Sequence, residues 1–130
     1  TLLGKIGFRT ITNEIKSAGL QNSSFLNDFI ETTASDQTTF VGALQSGQLL
    51  NPDSTNRLIS AMKRNIYRSG IPSGASGTVA DKVGFLNGLL HDTAIVYTSS
   101  GTYVLSIMSD GSSWGTIAEL TREIEKLRSQ

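Results

Sequence analysis

The sequence has no cysteine and a single histidine, His91. Disulfides and thiolate metal sites are excluded, and the redox compartment leaves no mark. A metal site would need carboxylates, and none cluster at ligand spacing. An excess of charge of one sign is missing too. Eleven Lys plus Arg balance 11 Asp plus Glu, so bulk electrostatics give no reason to expect nucleic acid or an anionic membrane as partner. No apolar run approaches the roughly 20 residues of a membrane-spanning helix. The glycines at 70, 74 and 77 follow no strand and meet neither dinucleotide nor Walker spacing, so a phosphate loop is excluded. No cofactor is expected, and no repeat or low-complexity tract is present.

What is there is an ordinary globular composition. With 130 residues, 38% hydrophobic and 17% charged, the chain suffices for one domain with a real core. It opens on Thr1 rather than Met, without a signal-peptide pattern, and is expected to be a processed form or a piece of something longer.

Residues 1–68 read as helical. Leu2, Leu3 and Ile6 give a short apolar face in Thr1–Phe8. Ile11, Ile15 and Ala18 share one side of a second helix that Gly19 closes. Leu20–Thr32 reads as loop, pinned by Phe25, Leu26, Phe29 and Ile30. Thr33 caps a helix to about Ser46, with Phe40, Val41 and Leu44 inward and Gly47 as its stop. Asn51-Pro52 starts another helix, expected to bury Leu58, Ile59 and Met62 and to end near Lys63 and Arg64.

Residues 69–77 read as a linker, and after it the period changes. Thr78–Gly84, Thr93–Thr98 and Thr102–Met108 read as strands, with a hairpin turn at Ser99-Ser100-Gly101. The last strand places Tyr103, Leu105 and Ile107 on one face and Val104 and Met108 on the other, the pattern of a central strand covered on both sides. A closing helix from about Ser113 to Arg128 carries Trp114, Ile117, Leu120, Ile124 and Leu127 as its apolar stripe.

Five segments in order carry a resemblance. They are Thr32-Thr33-Ala34-Ser35-Asp36, Gln48-Leu49-Leu50-Asn51-Pro52, Ile71-Pro72-Ser73-Gly74, Val79-Ala80-Asp81-Lys82-Val83-Gly84 and His91-Asp92-Thr93-Ala94-Ile95-Val96-Tyr97. Together they resemble the later part of a class A β-lactamase-like domain, in the penicillin-recognising serine hydrolase family. The resemblance implies a partial α+β domain of β-lactamase/transpeptidase type: a helical lobe, then a three-stranded antiparallel sheet and a C-terminal helix.

The same resemblance assigns roles. Lys82-Val83-Gly84 stands where the family has Lys-Thr-Gly, so Lys82 is expected to face the substrate carboxylate, and Phe85 to offer its backbone N–H to an oxyanion. Val83 departs from the family's Thr or Ser and cannot donate a hydrogen bond. The Ser-x-x-Lys nucleophile helix and the Ser-Asp-Asn loop are expected ahead of Thr1, and the chain is read as holding no Ser-x-x-Lys of its own. Glu31 is not given the role of the family's deacylation glutamate. His91, beside Asp92, is read as a turn or structural histidine rather than a base.

The function so implied is the C-terminal part of a serine hydrolase acting on β-lactams or D-alanyl peptides, inactive alone. The alternative is a non-catalytic cell-wall peptide-binding or interaction module of the same fold. The ligand would be a β-lactam or D-alanyl peptide, at the cell surface or in the periplasm. The exposed edge of Thr102–Met108 is expected to be covered by a missing N-terminal segment or a second copy.

Overall fold

A computed structural model describes residues 2–26 and 29–129. The expected start of the first helix at Thr1, and the placement of the Leu2, Leu3, Leu26 and Phe29 side chains, lie outside what is described.

Two short helices open the described chain, α1 (Leu2–Ile6) and α2 (Phe8–Ser17), broken at Gly7 and closed at Gly19, both glycines with left-handed φ. The segment expected to be loop forms a small antiparallel hairpin instead, β1 (Ser24–Leu26) with β2 (Phe29–Glu31). Phe25 stacks on Phe8, at 5.8 Å between ring centroids, which ties the hairpin to α2.

Helix α3 (Ala34–Gln45) begins where Thr33 accepts the Asp36 N–H at 3.1 Å, and helix α4 (Pro52–Lys63) where Asn51 accepts from Ser54 at 2.9 Å. Asp36 is buried and satisfied by the Asn22 N–H and the Ser23 hydroxyl, at 2.8 and 2.7 Å. Val41 and Leu44 are buried as expected, but Phe40 and Leu58 are 39% and 42% exposed. Ile59 and Met62 are half-buried. Phe40 and Leu58 do turn inward: they line an apolar trough of about 510 Å³ together with Ile11, Ile15, Leu20 and Leu44. The trough is unfilled, which is why its walls remain accessible.

The linker expected at 69–77 is a packed element. It contains the short helix α5 (Ile71–Gly74), and Ile71 is fully buried. Gly74 makes this possible, since a Cβ there would lie 2.2 Å from the Ala118 carbonyl oxygen and 2.6 Å from the Thr121 Cβ.

The sheet has the order β3-β4-β5, antiparallel throughout: β3 (Thr78–Leu86), β4 (Leu89–Thr98) and β5 (Gly101–Asp110). Asn87-Gly88, both at positive φ, turn β3 into β4 with two residues. One sheet face packs Val79, Ala94, Val96 and Ile107 against Ile71 and Ile117; the other packs Ala80 and Ile95 against Val41. Strand β5 is not central among the described residues. It pairs only with β4, and Tyr103, Val104, Leu105 and Met108 are half-buried.

Helix α6 (Trp114–Arg128) covers the first face. It buries Ile117, Ala118 and Thr121, while Leu120 and Leu127 are 46% and 70% exposed, so its inward stripe is rotated from the one expected. Close approach to α5 selects small residues at 118 and 121, where hydrophobicity alone pointed to the leucines.

Candidate site at the free edge of the sheet

Among the described residues β3 is an edge strand, and its two-residue turn fixes which backbone groups face outward. Leu86 and Leu89 close the turn as a hydrogen-bonded pair, so positions 79, 81, 83 and 85 direct N–H and C=O away from β4. Two of these carbonyls are visibly used there: Val79 accepts from Arg68 at 3.2 Å, and Val83 accepts from the Lys82 ammonium. By the same alternation, the Phe85 N–H projects from the edge.

Lys82 is exposed and makes no ion pair with another described residue. It borders a groove of about 230 Å³ between β3 and α4, walled by Leu58, Ala61, Met62, Asn65 and Asp81. Val83 points to the opposite sheet face and is 5% exposed, so its isopropyl group packs in the interior. Gly84 shares the face of Lys82, and a Cβ there would meet only the His91 Cβ, at 4.0 Å. The Phe85 ring is half-exposed and lies edge-on to Tyr67 and Trp114, at 5.3 and 6.3 Å between centroids.

Beneath this edge lies a charged network that the sequence did not reveal. Asp81 is buried and accepts from Asn65 at 2.6 Å and from Arg68 at 2.5 Å. Desolvation nevertheless pushes its carboxyl above the usual range, against the opposing pull of Asn65 and Arg68. Asp92 is fully buried and accepts the Ile71 N–H at 2.8 Å through Oδ2, while its Oδ1 has no partner among the described residues. Burial raises its pKa to about 7, partly opposed by the Ile71 hydrogen bond. The only sequence signal for this network was an Asp in the middle of an otherwise apolar strand, which demands a partner.

His91 lies within β4, opposite Gly84, and not in a turn. Glu31 ends β2 and is exposed. Contrary to the reading that the chain holds no Ser-x-x-Lys, one such spacing is present, Ser60-Ala61-Met62-Lys63. It ends α4 rather than beginning a helix. Ala61 and Met62 face the Lys82 groove; exposed Ser60 does not line it and its hydroxyl has no hydrogen-bond partner among the described residues, and the Lys63 ammonium lies over the Tyr97 ring, 4.3 Å from its centroid. The pair is therefore not arranged as a nucleophile and its activating amine.

Among the described residues no group of three or more His, Cys, Asp or Glu is placed to hold a metal ion. The site offers an unpaired cation, an outward N–H and a bare glycine, which suit an anionic ligand laid along the strand edge.

The profile of the Beta-lactamase2 family, described as a β-lactamase enzyme family, matches residues 1–128. No curated protein matches. Among solved structures, the fold is similar to PBP-A with TM-score 0.83 and 22% identity, covering 95% of this chain and 52% of that one. It is similar to the β-lactamase of Sphaerobacter thermophilus DSM 20745 with TM-score 0.85 and 19% identity, covering 98% and 55%. The TLA-1 extended-spectrum β-lactamase gives TM-score 0.84 and 16% identity, covering 99% and 58%. The chain thus spans little more than half the length of the structures it matches.

Proposed function

The chain belongs to the β-lactamase enzyme family, and on that premise we propose that it forms one wall of an acyl-transfer cleft in a serine hydrolase acting on β-lactams or D-alanyl peptides. Lys82 attracts the substrate carboxylate, and the Phe85 N–H, directed off the free edge of β3, stabilises the oxyanion. The nucleophilic serine belongs to polypeptide outside this chain, so the chain alone does not turn over substrate. The observation that carries the reading is an unpaired, exposed Lys82 on the groove-facing edge of a sheet with this fold.

Two unpartnered surfaces support an outside contribution. The β5 edge lacks a second strand neighbour among the described residues, and the trough along α2, α3 and α4 is apolar and unfilled. A further segment of the same domain covering both is the reading adopted; association of two copies would show as a dimer by analytical ultracentrifugation. We infer, from the family resemblance alone, an activity outside the cytoplasm, facing the cell wall.

One observation favours a second reading. Val83 offers neither a hydroxyl nor an accessible side chain, as expected of a relative that binds cell-wall peptide without hydrolysing it. Labelling with a fluorescent penicillin separates the two. The complete polypeptide carrying this chain becomes covalently labelled if the first reading holds and stays unlabelled if the second does. Labelling of the 130-residue chain alone would overturn the claim that the nucleophile lies elsewhere.

A further inference from the structure

The face that Lys82 shares with Gly84 continues onto β4. In the register Lys82 pairs with Thr93 and Gly84 with His91, so His91 is the diagonal neighbour of Lys82 on one face. Diagonal neighbours stand about 7–8 Å apart, within reach of long side chains. Between them lies the position that carries no side chain. The backbone does not require glycine at 84, since its φ is not left-handed and the space above it is open apart from the His91 Cβ at 4.0 Å. Gly74, by contrast, is demanded by the fold itself.

We propose that Lys82, Gly84 and His91 form a single carboxylate-binding niche, in which the His91 imidazole supplies the hydrogen bond that Val83 cannot give. This rests on the reading of Lys82 as the anion-facing residue and adds a second ligand-contacting side chain to it. The Ser109 N–H approaches His91 Nδ1 at 3.4 Å, and the other ring nitrogen, Nε2, has no protein partner among the described residues. The floor beside it is already satisfied: the Thr93 and Ser106 hydroxyls bond each other at 2.7 Å. Asp81, which borders the Lys82 groove, is held by Asn65 and Arg68 and makes no ion pair with Lys82, whose ammonium donates to the Val83 carbonyl. An anion placed over Gly84 then lies between the Lys82 side chain on one strand and the His91 ring on the next. Hydrogen bonds to either are charge-assisted from the ligand's side.

The test is an NMR titration of the isotope-labelled complete polypeptide carrying this chain with acetyl-D-alanyl-D-alanine and, separately, with its C-terminal amide. The carboxylate form is expected to shift the His91 ring and Gly84 amide signals saturably, and the amide form to leave them in place. His91→Leu is expected to weaken binding at least tenfold and His91→Gln, which retains a donor, to restore most of it. Gly84→Val is expected to block binding while the His91 ring signals persist, and it stands in if the leucine variant unfolds. Equal shifts with both peptides, a silent His91, or undiminished binding to His91→Leu and Gly84→Val would overturn the niche. Penicillin labelling reports separately. Labelling of the complete polypeptide with a silent His91 would remove the niche alone; carboxylate-specific shifts without labelling would remove acyl transfer and leave a carboxylate-binding module.

Discussion

The Arg68 guanidinium meets the fully buried Asp81 carboxylate at 2.5 Å, one residue before Lys82 along β3. The contact ties the loop ahead of α5 to the strand that carries the candidate site. The same guanidinium takes the outward Val79 carbonyl, so one side chain satisfies two groups on the strand edge.

Replacing Arg68 by Ala leaves Asp81 buried with only Asn65 as partner. Breaking a buried pair costs about 3–5 kcal/mol, and the lower end is expected here because the Arg68 side chain is 39% exposed. Urea denaturation would register this as a fall in midpoint at unchanged slope. Arg68→Ala at wild-type stability would mean that the ion pair does not hold the strand.

Asp92 makes stability depend on pH. Its folded pKa is raised to about 7 from 3.8, so the folded state keeps a proton that the unfolded state loses. The destabilisation is absent below the unfolded pKa, grows as pH rises from about 4 to about 7, and is constant above. At one pKa unit per 1.36 kcal/mol the full effect is roughly 4 kcal/mol. Asp92→Asn, which cannot ionise and still accepts the Ile71 N–H, is expected to flatten the thermal stability profile across that window. A wild-type profile flat from pH 4 to 7 would show that Asp92 is not held protonated.

Two glycines respond oppositely to alanine. Gly74→Ala drives a Cβ against the Ala118 carbonyl and Thr121, and overpacking of this kind costs about 1–3 kcal/mol or more. Gly84→Ala enters open space and is expected to change stability by less than about 0.5 kcal/mol. Thermal melts of the two variants compare them directly, and a loss at Gly84 matching that at Gly74 would place the need for its glycine inside the fold.

Much of the architecture could be read from local chemistry, because caps and turns are local. Thr33, Asn51-Pro52, Gly19 and Gly47 mark helix ends where they were expected. Asn87-Gly88 carried an equally local signal for the β3–β4 turn, and overlooking it delayed the start of β4 from Leu89 to Thr93. The β1–β2 hairpin was less legible, its strands being three residues each. Burial failed where it depends on what faces a residue: Phe40 and Leu58 turn toward an unfilled trough, and α6 is rotated by the close approach of α5. Lys82 could be singled out from its motif. Arg68 and Asn65 could not, because only tertiary packing brings them to that edge, and His91, noticed but set aside, joins the Lys82 face only through strand register.

The central claim is that this chain supplies one wall of the cleft and not the reacting hydroxyl. Mass spectrometric peptide mapping of the complete polypeptide after incubation with benzylpenicillin tests it most directly. The account predicts a penicilloyl adduct on a serine outside the 130 residues. It would be contradicted by an adduct on a serine within them, Ser60 included, or by no adduct at all.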